Sequence, residues 1–271
     1  MRQPRSNSGM ADRYFDEMGA HFARKIYAGP KGAVRLAVLT RDLEEWLPTI
    51  CHADQSLRVL DAGAGLGHMS EWLIGQGHRL TLADPSAEMI DAAKERLDAR
   101  PSAYPVTYLQ SPLQALPALG ETYDLVICHA VLEWLEDPAE AIGVLRKLCN
   151  PGAGVSLAFY NRDALVYKNL IKGQFRKLAK NQLAGSKRSL TPQQPLDPAL
   201  VAKWVMHSGF ECHGKSGIRV FYDYMPPEFQ SQVQPEEVIE QELLYSRHPA
   251  YLNLGRYLHW WLRLEDTHDS P

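Results

Sequence analysis

The chain has 271 residues, 45% of them hydrophobic and 23% charged, the proportions of a globular protein with a sizeable core and room for one domain or two. Its 29 lysines and arginines against 32 acidic residues give a net charge of −3, which excludes wholesale attraction to nucleic acid and leaves that role to a local basic patch. Four cysteines with no CxxC pair predict neither a metal site nor a disulfide framework and fit a reducing cytoplasm.

The N-terminus MRQPRSNSGM has no apolar segment of signal-peptide type, and no apolar run nears the ~20 residues of a membrane span, so a soluble protein is expected. Residues 1–11 read as a disordered tail. Two helices are predicted at 12–26 and 32–47, the second with Leu36, Leu39, Leu43, Trp46 and Leu47 at helical spacing before Pro48. A short strand at 57–60 then enters the run from Asp61 to Gly67, followed by a helix at 69–76 and a strand at 79–83 that ends in Asp84. Ser86 caps a helix at 87–97. Strands at 106–110 and 123–129, a helix opened by Pro138 and a strand at 155–160 continue the alternation.

Strand and helix in turn predict an α/β fold: a doubly wound, Rossmann-like parallel sheet preceded by N-terminal helices. Beyond residue 161 the rhythm loosens. A basic helix at 163–181, a helix at 198–208, a strand-like stretch at 210–222, a Glu-rich helix at 235–247 and a last strand at 255–261 are expected. Residues 161–195 read as a helical insertion after the fifth strand, within one domain spanning 12–271.

Gly63, Gly65 and Gly67 form a GxGxG turn between strand and helix, where bare backbone lets a ligand approach. Asp84, at the end of the next strand, is spaced to take ribose hydroxyls. The GxGxxG spacing that serves a pyrophosphate is absent, and Asp61 just before the turn would oppose a phosphate. S-adenosylmethionine carries a sulfonium, an ammonium and a carboxylate, and tolerates that acid. It is preferred here over NAD and over a turn that only shapes the fold. Leu113 and Gln114, after the third strand, are placed to frame an adenine, and His129 ends the fourth strand.

The runs from Lys31 to Arg35, Leu60 to Gly65, His129 to Trp134, Phe159 to Asn161, Lys215 to Phe221 and Leu254 to His259 resemble the bacterial tRNA 5-carboxymethoxyuridine methyltransferases. That family lies within the class I methyltransferases, and the resemblance runs from about residue 12 onward. It implies cofactor contacts at Arg35, Gly63, Ala64, Asp84, Leu113, Gln114 and His129. Two positions depart from the family pattern: Ala64 stands where a third glycine is common, and Leu113 alters the apolar neighbour of the Gln114 amide. The implied reaction is methyl transfer to the carboxylate of 5-carboxymethoxyuridine at the tRNA wobble position.

Such a reaction needs no general base, because a carboxylate is already ionised at neutral pH, so proximity and desolvation are expected to drive it. Tyr160, Asn161, Lys215 and Arg219 are the candidates for holding the substrate carboxylate, arginine best suited by its planar fork. Lys168, Lys172, Arg176 and Lys180 fall every fourth residue, a stripe that would meet tRNA phosphates together with Lys187 and Arg188. Tyr167, Leu170, Ile171, Phe175 and Leu178 would dock that helix. Two other functions fit parts of the pattern: methylation of a quinone precursor or a free carboxylic acid, and a non-catalytic regulator that binds the cofactor. No metal and no obligate protein partner are expected.

Overall fold

A computed structural model describes Asp12 and residues 29–52, 55–184, 192 and 194–265. The tail 1–11, the rest of the helix expected at 12–26, Lys187 and Arg188 lie outside the described residues. Seven strands form, the central ones buried almost throughout because helices cover both faces: β1 (Arg58–Ala62), β2 (Arg79–Asp84), β3 (Thr107–Gln110), β4 (Tyr123–His129), β5 (Cys149–Tyr160), β6 (Phe210–Ile218) and β7 (Tyr257–Leu264). They lie side by side in the order β3-β2-β1-β4-β5-β7-β6. The first five are parallel, while β7 runs antiparallel to both β5 and β6.

On one face pack α1 (Pro30–Trp46), α2 (His68–Gly75) and α3 (Ala87–Leu97), burying Val34, Val38, Leu39, Leu43, Leu73, Ile90 and Leu97 against the sheet. The opposite face carries α4 (Pro138–Lys147) and α7 (Pro198–His207), whose Ile142, Leu145, Val201 and Val205 meet Leu157, Phe159, Leu258 and Trp260. Helix starts follow the expected chemistry: Ser86 accepts from Met89 N, and Asp137 caps α4 ahead of Pro138. No helix among the described residues is long and apolar enough to cross a membrane.

Beyond β5 the structure corrects the sequence reading. The single basic helix at 163–181 is two: α5 (Arg162–Ile171) and the short α6 (Phe175–Ala179). They part at Gly173, whose φ of +64° leaves the helical region. The four-residue stripe therefore does not run down one helix. Of its apolar companion, Leu178 packs beside Tyr160, Leu165 and Leu183, whereas Tyr167, Leu170, Ile171 and Phe175 are exposed. The strand expected to reach 222 ends at Ile218, because Val220, Phe221 and Tyr222 turn their N–H groups onto the buried Glu242 carboxylate of α9 (Pro235–Tyr245). A one-turn helix, α8 (Pro227–Gln230), lies between them.

Candidate active site

The parallel strands end together, and the loops beyond those ends form the site. Gly63 N and Ala64 N donate to Ala83 O of β2 at 2.8 and 3.2 Å, which ties the turn to the neighbouring strand. Gly63 has φ +73°, and a Cβ there would lie 2.4 Å from Val131 Cγ2, so only glycine fits. Gly65, at φ +55°, has nothing within 4 Å of where a Cβ would stand, and its face of the turn is open to a ligand. Asp84 is buried at the end of β2, with Oδ2 accepting from Gly65 N at 3.0 Å and Oδ1 from Ser86 N at 2.9 Å. Asp61, below the turn, accepts from Ser70 Oγ at 2.6 Å. Burial, reinforced by the nearby Asp84 charge, raises its carboxyl to about 7 despite that bond.

Arg35 projects from α1 into the interior, its guanidinium 4.1 Å above the Tyr257 ring. It acts electrostatically on two further groups. His129, at the end of β4, is driven well below the ordinary imidazole range, first by burial, with the Arg35 charge adding to it. Glu133, in the turn after β4, is 1% exposed. Burial lifts its carboxyl to about 7 against the pull of nearby backbone N–H groups and Arg35. A cation beside two acceptors in a dry setting complements a zwitterionic amino acid.

Past Tyr257 lies a second cluster. Arg256 Nε donates to Asp223 Oδ2 at 2.8 Å, Arg219 approaches the same oxygen at 3.5 Å, and Lys31 lies 3.7 Å from Oδ1. Arg256 also reaches the Tyr160 hydroxyl at 3.4 Å. Lys168 belongs here as well: burial, then the Arg256 charge, bring its ammonium down to about 8. Arg219 sits at φ +62°, a left-handed conformation that costs a residue with a side chain and concentrates at functional sites. Its Nε is buried without a hydrogen-bond partner among the described residues. Arg219, Arg256 and Lys31 thus hold the one carboxylate of Asp223 below its usual range against burial, and Lys168 lies within electrostatic reach of it.

Comparison with known proteins fits this geometry. A family described as methyltransferase domain matches residues 60–157. The chain is 37% identical over 262 residues to the tRNA 5-carboxymethoxyuridine methyltransferase of Escherichia coli (strain K12), covering 96% of this chain and 100% of that protein. The chain belongs to that family. A ubiquinone biosynthesis O-methyltransferase of Vibrio cholerae is 32% identical, but over 59% of this chain and 64% of its own length. Among solved structures, magnesium protoporphyrin IX methyltransferase from Synechocystis PCC 6803 with bound SAH shares the fold at a TM-score of 0.61 and 17% identity, covering 92% and 95% of the two chains.

As an S-adenosylmethionine-dependent methyltransferase, the protein needs a pocket for a sulfonium, an amino acid and a nucleoside, and the residues present suit one. The open face at Gly65, the oriented Asp84 carboxylate and the Arg35, His129 and Glu133 group lie along the same edge of the sheet. Leu113 is buried beneath the loop after β3, whereas the Gln114 amide is engaged by Asp12, at 2.9 Å.

Two candidates of the sequence reading are not brought to the site of this methyltransferase. Lys215 pairs with Trp260 in mid-sheet and lies over its ring at 4.4 Å, on the α7 face away from Arg35. Asn161 is spent on structure: its amide donates to Asn253 O and Gly255 O while its oxygen caps α5 at Asp163 N. Lys172, Arg176 and Lys180 are exposed around the α5–α6 break, apart from Lys168. The sequence reading assigned no role to Glu133, Asp223, Arg256 or Lys31. Lys31, Glu133 and Arg256 lie in runs that carry the family resemblance, and Asp223 was signalled only by composition, as an acid between two tyrosines.

Proposed function

We propose that this protein transfers a methyl group from S-adenosylmethionine to the carboxylate of 5-carboxymethoxyuridine at the wobble position of tRNA. The observation that carries the reading is the cluster of Lys31, Lys168, Arg219 and Arg256 around the single carboxylate of Asp223. Arg256 is buried and Arg219 and Lys168 are partly so, and this local excess of positive charge over one carboxylate suits an anion that arrives to share it. The acid-bearing side chain of the modified uridine is an anion of that kind, and the E. coli relative is named for it.

The cofactor supplies an electrophilic methyl on a positively charged sulfur. The protein's own residues position and desolvate. Asp84 would accept the ribose hydroxyls and Arg35 would pair with the amino-acid carboxylate, and Tyr257 lies between Arg35 and Arg219, its ring within 4.1 and 5.5 Å of the two guanidiniums. Arg219 and Lys168 orient the acceptor carboxylate and exclude water from it. Opposite charges cancel as the methyl moves, so a dry, preorganised pocket accelerates the step. No residue has to remove a proton. Lys172, Arg176 and Lys180, with Lys187 and Arg188, supply phosphate contacts for the tRNA.

Incubating the purified protein with labelled S-adenosylmethionine and tRNA bearing 5-carboxymethoxyuridine tests this reading. The label should enter tRNA as an ester that mild alkali releases. An alkali-stable mark on a base carbon or nitrogen would assign a different acceptor. Arg219→Gln is expected to depress this transfer at least 10-fold while leaving cofactor affinity unchanged, as removal of one charge-assisted contact implies.

A further inference from the structure

Behind His129 a polar chain crosses the sheet through its interior. β4, β5 and β7 present His129, Ala158 and His259 in one row on the α1 side, with Ser156 two residues earlier on the same face. Ala158 and Ser156 are small, so the two imidazoles come to 5.4 Å between centroids, edge to face. Ser156 Oγ bridges them, 2.7 Å from each Nε2. His259 Nδ1 in turn lies 2.7 Å from Asp42 Oδ2 of α1. The other oxygen, Oδ1, accepts from Arg41, Arg247 and Ser216. Asp42, Ser156 and His259 are wholly buried, and the Trp46 ring covers His259 at 5.0 Å.

The direction of every bond follows from the Asp42 end. Burial opposes ionisation of that carboxyl, but the hydrogen bond from His259 and the charges of Arg41 and Arg247 win and bring it to about 2. An ionised carboxylate only accepts, so His259 donates from Nδ1. Two guanidiniums already meet Asp42 Oδ1, and His259 has to supply only its Nδ1 proton to complete the set. Its Nε2 accepts from the Ser156 hydroxyl, and Ser156 accepts from Nε2–H of His129. His129 is left with a bare Nδ1, an atom that is buried and has no partner among the described residues.

We propose that Asp42, acting through His259 and Ser156, is a positioning residue that fixes the tautomer of His129 and presents Nδ1 to the cofactor pocket as a hydrogen-bond acceptor. The inference rests on the assignment of Arg35, Asp84 and His129 to that pocket. The complementary group is the cofactor's ammonium, which can only donate and is one carbon removed from the carboxylate that Arg35 would hold.

Asp42→Asn is the discriminating variant. Asparagine keeps one oxygen for Arg41 and Arg247 but offers an NH2 group to His259, which reverses each bond and leaves His129 protonated on Nδ1. Ser156→Ala cuts the chain with little change in packing and serves if the first variant fails to fold. Nitrogen-15 spectra of histidine-labelled full-length protein report the tautomer, and calorimetry reports S-adenosylmethionine affinity without turnover. In the wild type the His129 proton should reside on Nε2. In Asp42→Asn it should move to Nδ1, with affinity falling roughly 10- to 100-fold because two donors now face each other. Ser156→Ala should give a mixture of tautomers and a smaller loss.

A wild-type proton on Nδ1 would overturn the proposal. So would unchanged affinity in Asp42→Asn while His129→Ala binds weakly. If His129→Ala binds normally and Asp84→Ala does not, the relay fails but the cofactor pocket stands. Normal binding by both variants would remove the pocket assignment itself.

Discussion

Asp84 illustrates how one side chain can be both oriented and available. Its two oxygens accept backbone N–H groups from Gly65 and Ser86, and a carboxylate retains further lone pairs for hydroxyls. Asp84→Ala is expected to weaken S-adenosylmethionine binding by about 1.5–3 kcal/mol, roughly 10- to 150-fold, with the fold intact. Calorimetry beside a circular dichroism melt checks both halves. Glu133 makes the opposite kind of prediction. Its carboxyl stands near 7 against an ordinary 4.5, raised chiefly by burial, so the folded protein holds this proton more tightly than the unfolded chain. That group costs nothing below pH 4.5, and its penalty grows as pH rises to about 7, reaching at most about 3 kcal/mol. Glu133→Gln should therefore raise the melting temperature at pH 8 and leave it nearly unchanged at pH 4.5. Asp84 was legible in the sequence because its partner, the glycine turn, lies close by along the chain. Asp42, Ser156 and His259 were not, since only strand register and the packing of α1 on the sheet bring residues so far apart together.

At the scale of elements, the α5–α6 break changes what the basic segment can do. A continuous helix would have aligned Lys168, Lys172, Arg176 and Lys180 and buried their apolar neighbours. Instead Gly173 turns the chain, Lys168 folds back toward Asp223, and Phe175 is left 63% exposed beside Lys172 and Arg176. Cations next to an exposed aromatic ring suit a nucleic acid better than a purely solvated face. Changing Lys172, Arg176 and Lys180 together to Gln should flatten the slope of log tRNA affinity against log salt by about 2–3 units. Phe175→Ala should lower tRNA affinity by about 1–3 kcal/mol without altering that slope, as loss of a stacking contact does. Filter binding at several salt concentrations separates the two, and unchanged values for both would assign the RNA surface elsewhere. Periodicity alone missed the break because the residues on either side keep a helical rhythm.

For the molecule as a whole, the five parallel strands and their helices were readable because each has a local signal: an apolar run, a cap, a proline or a glycine turn. The arrangement of the last two strands was not, because nothing local states that β7 inserts between β5 and β6. The resulting site joins distant parts of the chain, with Arg35 from α1 over Tyr257 of β7 and Glu242 of α9 pinning the turn after Arg219. A ligand that spans these parts should stabilise the whole. Saturation with S-adenosylhomocysteine at about 100 times its dissociation constant is expected to add about 2.7 kcal/mol, or roughly 5–10 °C in a thermal melt of a domain this large. Asp84→Ala should lose most of that gain.

The central seat of β7 also bears on how the chain is made. During synthesis β5 and β6 emerge well before the strand that joins them, each with a row of unpaired backbone groups. Neither can pair with its final neighbour until residues 257–264 have left the ribosome, and closing so long a loop is slow. A nascent chain stalled before residue 257 should be cut by protease within β6, while β1 to β4 resist. Release of residues 257–264 from the ribosome should abolish that sensitivity. The growing protein thus passes through an interval in which two bare sheet edges depend on chaperones or speed to avoid pairing with the wrong strand.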